Sequence, residues 1–157
     1  MSAAVFVFCC HTGMRSGEAL KLQRAWISGR TITIPKEAVK TRANRVIALS
    51  REAVAVLNDM RAAGRYPTIA GVTDWNRDAL FRKVRDRLNL GDVADSEGRV
   101  IKQGLHFHDS RAYFCTHAAK KIDVLSLARQ TGHKSIKMLM RYYRPDAEGI
   151  ADMLDKE

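Results

Sequence analysis

Arginine, histidine and tyrosine residues recur in this sequence at spacings that suit phosphoryl transfer. His108 and Arg111 lie three residues apart, Tyr142 follows His133 by nine, and Arg15 stands far upstream. An arginine can give two parallel hydrogen bonds to a phosphate, and a histidine can move protons near neutral pH. A tyrosine needs cationic neighbours or a base, because the unperturbed pKa of its hydroxyl is about 10. These residue types predict a tyrosine that attacks a phosphodiester whose charge is held by arginines.

Each of these residues also has an ordinary structural explanation. A histidine and an arginine on one helical face are common by chance, and Tyr142 alone suits a packing role. On composition, the adjacent Tyr143 would serve equally well as the nucleophile. The chemical interpretation therefore depends on further residues at defined separations.

The size and charge of the chain indicate one globular domain with a polyanionic partner. Its 157 residues can bury a single core, and 27 Lys plus Arg against 17 Asp plus Glu give a net charge of +10. Such an excess favours nucleic acid, since neutralised phosphates drive affinity, although a basic protein without this partner would have the same charge.

Cysteine usage and hydropathy predict a cytoplasmic protein. The cysteines, Cys9, Cys10 and Cys115, are odd in number and lack paired CxxC spacing, which argues against a disulfide framework. The apolar run 3–10 is too short to span a bilayer and has no basic region before it, so no membrane segment is expected.

The pattern of apolar residues predicts an α+β fold that is mainly α-helical, with a small antiparallel β-sheet in the N-terminal half. Residues 2–11 are apolar on nearly every side, so their helix must be covered by neighbours. Strands are predicted over 31–35 and 45–49, with Lys40 at or beside the connecting turn. The polar stretch 91–104 is predicted to be a flexible loop. Other helices are predicted over 16–22, 51–63 after a Ser50 cap, 75–90, 108–121, 123–131 and 135–143.

The helix over 75–90 is predicted to be amphipathic and capped by Asp74. The apolar residues expected to face the core are Leu80, Phe81, Val84 and Leu88. The basic residues on the opposite face, which suit either a DNA contact or a solvated surface, are Arg77, Arg82, Lys83, Arg85 and Arg87.

Four motifs in order resemble those of the tyrosine recombinases, the phage-integrase group, and together they cover nearly all of the chain. The motifs are Thr12-Gly13-Met14-Arg15 through Leu20, Val39-Lys40-Thr41 followed by 45–50, the His-x-x-Arg box within 105–111, and 131–142. The first motif also contains an acidic residue, Glu18, for which the resemblance implies a mainly structural role. The interval from His133 matches the last motif and favours Tyr142 over Tyr143 as the nucleophile.

The resemblance implies a nucleophile and a clamp for the phosphate. Tyr142 would attack the phosphodiester and form a 3′-phosphotyrosyl link. Arg15 and Arg111 would hold the non-bridging oxygens, and His133 would add a hydrogen bond to the same phosphate.

It also implies how protons move during the reaction. Lys40 would protonate the departing 5′-oxygen, and His108 would assist as a base or by positioning. Because the phosphotyrosine retains the bond energy, no cofactor, ATP or metal is expected. The predicted catalytic set is Arg15, Lys40, His108, Arg111, His133 and Tyr142.

The implied partner is double-stranded DNA, and residues 1–157 would form one catalytic domain. Few residues precede the first helix, so the chain is expected to begin inside that domain and to lack the family's N-terminal core-binding domain. Ile150, Met153 and Leu154 give the C-terminal segment an apolar face. In the family this segment often docks on a neighbouring protomer of a tetramer; folding back in cis is equally consistent with the pattern.

Three alternative interpretations remain open from the sequence. One is nick and reseal of the type IB topoisomerase kind, which shares the catalytic residues. A second is a DNA-binding remnant or fragment without recombination activity on its own. The third is a metal site, which is disfavoured because Asp109 is the only acid near the candidate ligands and no compact ligand spacing occurs. Those candidate ligands are His106, His108, His117, His133 and Cys115.

Overall fold

The computed structural model describes residues 2–38, 44–63, 68–143 and 147–155, and it confirms a mainly helical α+β fold with a small antiparallel sheet. None of the helices in these ranges is both long and apolar enough to cross a membrane. The helices are α1 (Ser2–Thr12), α2 (Ser16–Leu20), α3 (Arg51–Ala63), α4 (Asp74–Arg87), α5 (Asp109–Ala118), α6 (Val124–Thr131) and α7 (Ala147–Leu154), with short 3-10 turns at Arg24–Trp26, Lys36–Ala38 and Ile136–Met138. The strands are β1 (Ile27–Ser28), β2 (Thr31–Ile34), β3 (Arg45–Ala48), β4 (Val93–Ala94) and β5 (Val100–Lys102).

Helix α1 lies at the centre of the larger core. Its side chains Val5, Phe8 and Cys9 are fully buried, and α2, α3, α4 and α5 all pack against it. The prediction that neighbours must cover this apolar helix is confirmed. Each such apolar side chain contributes about 1.5–3 kcal/mol when fully buried, so the C-terminal end of α1 is firmly held.

The first sheet has the order β1-β2-β3, and β2 and β3 are the two strands predicted from the sequence. They pair antiparallel with Ile32 opposite Ile47, and both side chains are fully buried. The predicted cap of the following helix is confirmed, because the Ser50 hydroxyl accepts a hydrogen bond from the Ala53 N–H at 3.1 Å. Lys40, predicted for the turn between the strands, lies outside the described residues.

Helix α4 was predicted with the wrong cap and with faces that are only partly right. Thr73, not Asp74, caps it, accepting a hydrogen bond from the Asn76 N–H at 3.3 Å. Helix α4 ends at Arg87 rather than residue 90. Three of the four apolar residues expected inside are substantially exposed, Leu80 by 44%, Val84 by 43% and Leu88 by 61%, while Phe81 packs against the core as predicted.

An aromatic cluster explains how α4 is rotated. The Phe81 ring stacks on Phe6 and meets Phe107 edge-on, with ring centroids 5.2 Å apart in each pair. Arg77 therefore lies against the domain, its guanidinium carbon 5.0 Å from the Phe107 centroid, and the Arg85 side chain is only 15% exposed. Their apolar stems cover the surface that leucines were expected to cover.

Two other segments differ from their predictions. Residues 91–104 contain the antiparallel pair β4 and β5 instead of a structureless loop; both strands are exposed, so no apolar alternation marked them. The segment 135–143 forms a 3-10 turn and further turns instead of a helix. Leu139 is buried in it while Met138 and Met140 are 60% and 51% exposed, so the apolar residues of this segment do not form one buried helical face.

Candidate active site

Three consecutive backbone carbonyls at the C-terminal end of α6 each accept a hydrogen bond from an arginine. The Gln130 carbonyl accepts a hydrogen bond from Arg45 at 2.7 Å, the Thr131 carbonyl from Arg111 at 2.6 Å, and the Gly132 carbonyl from Arg15 at 3.3 Å. The last carbonyls of a helix have no partner within the helix, and the dipole makes this end negative. The arginines therefore satisfy these groups and are themselves fixed by them.

Arg111 is the most buried of the predicted catalytic residues that the structure describes, with 4% exposure. Besides Thr131, its guanidinium donates to the Gly13 carbonyl at 2.5 Å, so it joins the loop after α1 to the end of α6. Burial, and then the charges of Arg15 and Arg45, lower its pKa to about 10, which still leaves it protonated at neutral pH. A guanidinium has five N–H donors, so donors remain for a ligand.

Arg15 lies beside Arg111 but is more exposed, at 37% of its side chain. Arg15 immediately precedes α2 and has an extended backbone, and its Nη1 lies 3.1 Å from the Glu18 Oε1. The Glu18 carboxylate also accepts the Arg15 backbone N–H at 3.0 Å. One carboxylate therefore fixes both the main chain and the side chain of this arginine.

Arg45 completes the network, and the sequence analysis did not select it. It is 6% exposed, and its guanidinium lies 2.5 Å from the second Glu18 oxygen. Its Nε has no hydrogen-bond partner among the described residues. The sequence pattern of β3 could have identified Arg45. Arg45 and Ile47 are two residues apart and therefore lie on the same, buried face of the strand, and a buried arginine requires a hydrogen-bond acceptor.

His133 follows this run of carbonyls and is neutral at pH 7. Partial burial, and then the charges of Arg111, Arg15, Arg45 and Arg141 in that order of effect, together lower its pKa to about 4. Its Nδ1 is 2.6 Å from the Thr131 hydroxyl, which donates its own proton to Leu127. The hydroxyl can then only accept, so the network assigns the proton of the neutral ring to Nδ1.

The other predicted residues are less closely joined to this group. The Tyr142 hydroxyl accepts a hydrogen bond from Arg141 at 2.5 Å, and the Arg141 guanidinium lies 4.7 Å from the ring centroid. Within the described ranges, no hydrogen bond links this hydroxyl to Arg15, Arg111 or His133. Both Tyr142 and Tyr143 pack against a second, smaller core cluster of Cys115, Ala119, Leu127 and Leu139.

His108 is exposed at the N-cap of α5, which begins one residue later than predicted and ends at Ala118. Its side chain makes no capping bond, and Asp109 instead accepts the His106 backbone N–H at 2.7 Å. The structure therefore brings together Arg15, Arg111 and His133, whereas the Tyr142 hydroxyl is hydrogen-bonded to Arg141 and His108 lies at the surface.

The charge of this group is strongly unbalanced. Four guanidinium groups, of Arg15, Arg45, Arg111 and Arg141, act on His133, and among the described residues the carboxylate paired with them is Glu18. An open groove of about 670 Å³ runs beside His133 and is also lined by Arg129 and Lys134. Such a surface suits a polyanion.

Gly132 is expected to be intolerant of a side chain. Its φ of 69° lies in the left-handed region, and an added Cβ would be 2.9 Å from the Arg45 Nε. We expect Gly132→Ala to lower the free energy of unfolding by about 1–3 kcal/mol, measured by chemical denaturation. Gly17→Ala is the matched control, because Gly17 lies in α2 with nothing within 4 Å of its added Cβ. Equal losses in both variants would contradict this prediction.

Comparisons with known proteins agree with the prediction from the motifs. The model of the phage integrase family matches residues 1–148, and the chain belongs to this family. Two Haemophilus influenzae proteins named as integrase/recombinase are similar to it. One is 31% identical over 156 residues, 98% of this chain and 47% of its own length. The other is 30% identical over 152 residues, 94% of this chain and 38% of its own length. The chain thus spans less than half of either relative.

Solved structures show the same fold at low sequence identity. The Tn1549 transposon integrase in complex with a circular intermediate DNA has a TM-score of 0.72 at 17% identity, covering 97% of this chain and 57% of its own. The catalytic domain of bacteriophage HP1 integrase has a TM-score of 0.66 at 20% identity, covering 98% and 81%. The XerH site-specific recombinase bound to palindromic difH substrate, in a post-cleavage complex, has a TM-score of 0.59 at 21% identity, covering 98% of this chain and 44% of its own.

Proposed function

We propose that this chain is the catalytic domain of a site-specific DNA recombinase that cleaves and rejoins DNA through a 3′-phosphotyrosyl intermediate. The observation that carries the proposal is the run of three carbonyls that holds three arginines beside His133. Such a rigid group of donors favours the charge that develops on a phosphate under attack. Family membership supports the same activity.

The proposed reaction exchanges one phosphodiester bond for another. The Tyr142 hydroxyl gives its proton to a base, for which His108 is the candidate, while its oxygen attacks phosphorus and the bond from phosphorus to the 5′-oxygen breaks. Arg15 and Arg111 hold the non-bridging oxygens, while Lys40 gives a proton to the leaving 5′-oxygen. A 5′-hydroxyl from another strand then attacks the phosphotyrosine, which restores the tyrosine and joins new partners.

His133 is proposed to donate a hydrogen bond to the same phosphate. A neutral ring protonated on Nδ1 has no proton on Nε2, and the cationic neighbours oppose adding one. A bound phosphate brings negative charge to this position and raises the pKa of the imidazole. Binding would thereby favour uptake of a proton from solvent at Nε2 when a donor is needed, with His108 assisting as a base or by positioning.

Tyr142 must change its hydrogen bonding to react. Its hydroxyl is held by Arg141, which is exposed and not part of the buried group. For attack, the hydroxyl would leave Arg141 and approach the phosphorus of the phosphate held by Arg15 and Arg111.

A nicked duplex tests this function directly. Cleavage next to the nick releases a short fragment that diffuses away, so the covalent protein–DNA complex accumulates and survives denaturation. We expect the 157-residue chain to form this complex without added metal or nucleotide. A folded chain that binds DNA but forms no complex would favour the alternative of a binding fragment. Relaxation of supercoiled DNA without strand transfer to a second duplex would favour the topoisomerase-like alternative.

We further propose that α7 mediates assembly of several copies on DNA. Its Ile150 and Leu154 side chains are 47% and 81% exposed, so much of the predicted apolar face is available for a partner. The Met153 side chain, predicted on the same face, lies outside the described residues. Sedimentation of DNA complexes is expected to give a larger assembly for the full chain than for a chain truncated after Tyr143. Equal masses would indicate that α7 folds back on its own domain.

A further inference from the structure

We propose that Gln130 is a positioning residue that holds the carbonyl run 130–132 and His133 in register with the edge of β3 and the end of α1. The expected effect of Gln130 on catalysis rests on the proposed function. The expected effect of Gln130 on the geometry of the site does not rest on it.

The Gln130 side-chain amide forms, with the backbone of Ala48 in β3, the pair of hydrogen bonds that a neighbouring strand would form. Among the described residues, strand β3 is at the edge of its sheet, and no strand there pairs with its outer backbone groups. The Gln130 Oε1 accepts the Ala48 N–H at 3.0 Å, and its Nε2 donates to the Ala48 carbonyl at 3.0 Å. A primary amide can do this because it carries a donor and an acceptor side by side.

The same amide reaches a third segment. Its Nε2 also donates to the Thr12 carbonyl at 3.1 Å, at the end of α1. Thr12 immediately precedes Gly13, whose carbonyl holds Arg111. Gln130 therefore joins the strand that begins with Arg45, the loop that carries Arg15, and the helix end that carries His133.

The main chain of Gln130 shows why its position matters for the arginines. Its own carbonyl accepts Arg45, and the two carbonyls that follow accept Arg111 and Arg15. A shift of this helix end would move three donors at once. Misplacement of catalytic groups by about 1 Å can cost about 100-fold in rate, so these hydrogen bonds matter beyond their contribution to stability.

Substitution with leucine removes the hydrogen bonds while keeping a similar volume. We expect Gln130→Leu to lower the rate constant of cleavage on a nicked duplex by about 100-fold, with KM for DNA changed less than about threefold. The matched control is Gln103→Leu, because Gln103 is exposed next to β5 and, among the described residues, no side-chain hydrogen bond joins it to Arg15, Arg111 or His133. If Gln130→Leu does not fold, Gln130→Asn keeps the amide on a shorter side chain that cannot reach both segments.

A second measurement does not depend on cleavage. Histidine NMR titration of the native chain is expected to find the pKa of His133 at about 4, and in the Gln130 variants it should move toward 6.5 as the ring leaves its partly buried place beside the arginines. A chain that cleaves no DNA would refute the proposed function, and this titration would still decide the role of Gln130. An unchanged His133 in a folded variant would overturn the proposal, whatever happens to the rate. So would a loss of stability with an unchanged rate constant.

Discussion

The Tyr142→Phe variant is expected to bind DNA but to form no covalent complex with a nicked duplex, whereas Tyr143→Phe is expected to retain complex formation. Phenylalanine keeps the ring and removes only the oxygen that would attack phosphorus. The Arg141 guanidinium contacts both the hydroxyl and the ring of Tyr142, so a cation is already present where the phenolate would form.

Tyr143 is a close control for this experiment. Both tyrosines pack against the same small core cluster, so removal of either hydroxyl leaves the apolar contact in place. The measurement is the fraction of labelled DNA that stays attached to protein in a denaturing gel. A complex that is lost in Tyr143→Phe and kept in Tyr142→Phe would reverse the assignment of the nucleophile.

The Arg111→Lys variant is expected to cleave about 10²–10³ times more slowly than the native chain. Lysine keeps the positive charge, but a single ammonium cannot reproduce the fork that reaches two carbonyls and a phosphate together. The bonds at stake are those to the Gly13 and Thr131 carbonyls, at 2.5 and 2.6 Å. Both acceptors belong to segments of the proposed site, so the substitution disturbs its frame as well as its charge.

Stability must be measured alongside the rate of this variant. Loss of a buried hydrogen bond leaves its partner unsatisfied, which costs about 1–3 kcal/mol. Rates are therefore compared for the folded fraction determined by denaturant titration. Arg99→Lys is the control, because the Arg99 side chain is 78% exposed and pairs with Glu97 on the surface. A cleavage rate for Arg111→Lys within a few-fold of the native rate would argue against a phosphate contact.

Local signals in the sequence predicted the helix ends and strands that frame the site. Ser50 caps α3 as predicted, and Gly132 ends α6 in the left-handed conformation that the Thr-Gly-His sequence favoured. These features depend on a few neighbouring residues. Spacing along the chain also identified Arg15, Arg111 and His133, and the structure brings these three together.

Long-range contacts could not be read from such signals. The Gln130 side chain meets Thr12, 118 positions earlier, and Arg45 meets Glu18, 27 positions earlier. Neither contact has a periodicity that marks it. Helix α4 illustrates the same difficulty, since an aromatic cluster rather than the leucine stripe sets its rotation.

The excess of guanidinium groups over carboxylates makes substrate binding and folding linked equilibria. The native state gathers Arg15, Arg45, Arg111 and Arg141 near one another with Glu18 as the paired acid, and their mutual repulsion opposes folding. A ligand that binds only the folded chain stabilises it by about 2.7 kcal/mol at 100 times its Kd. Under the proposed function, the scissile phosphate would supply the negative charge that the domain itself lacks. DNA would then be part of what holds this domain in its folded state.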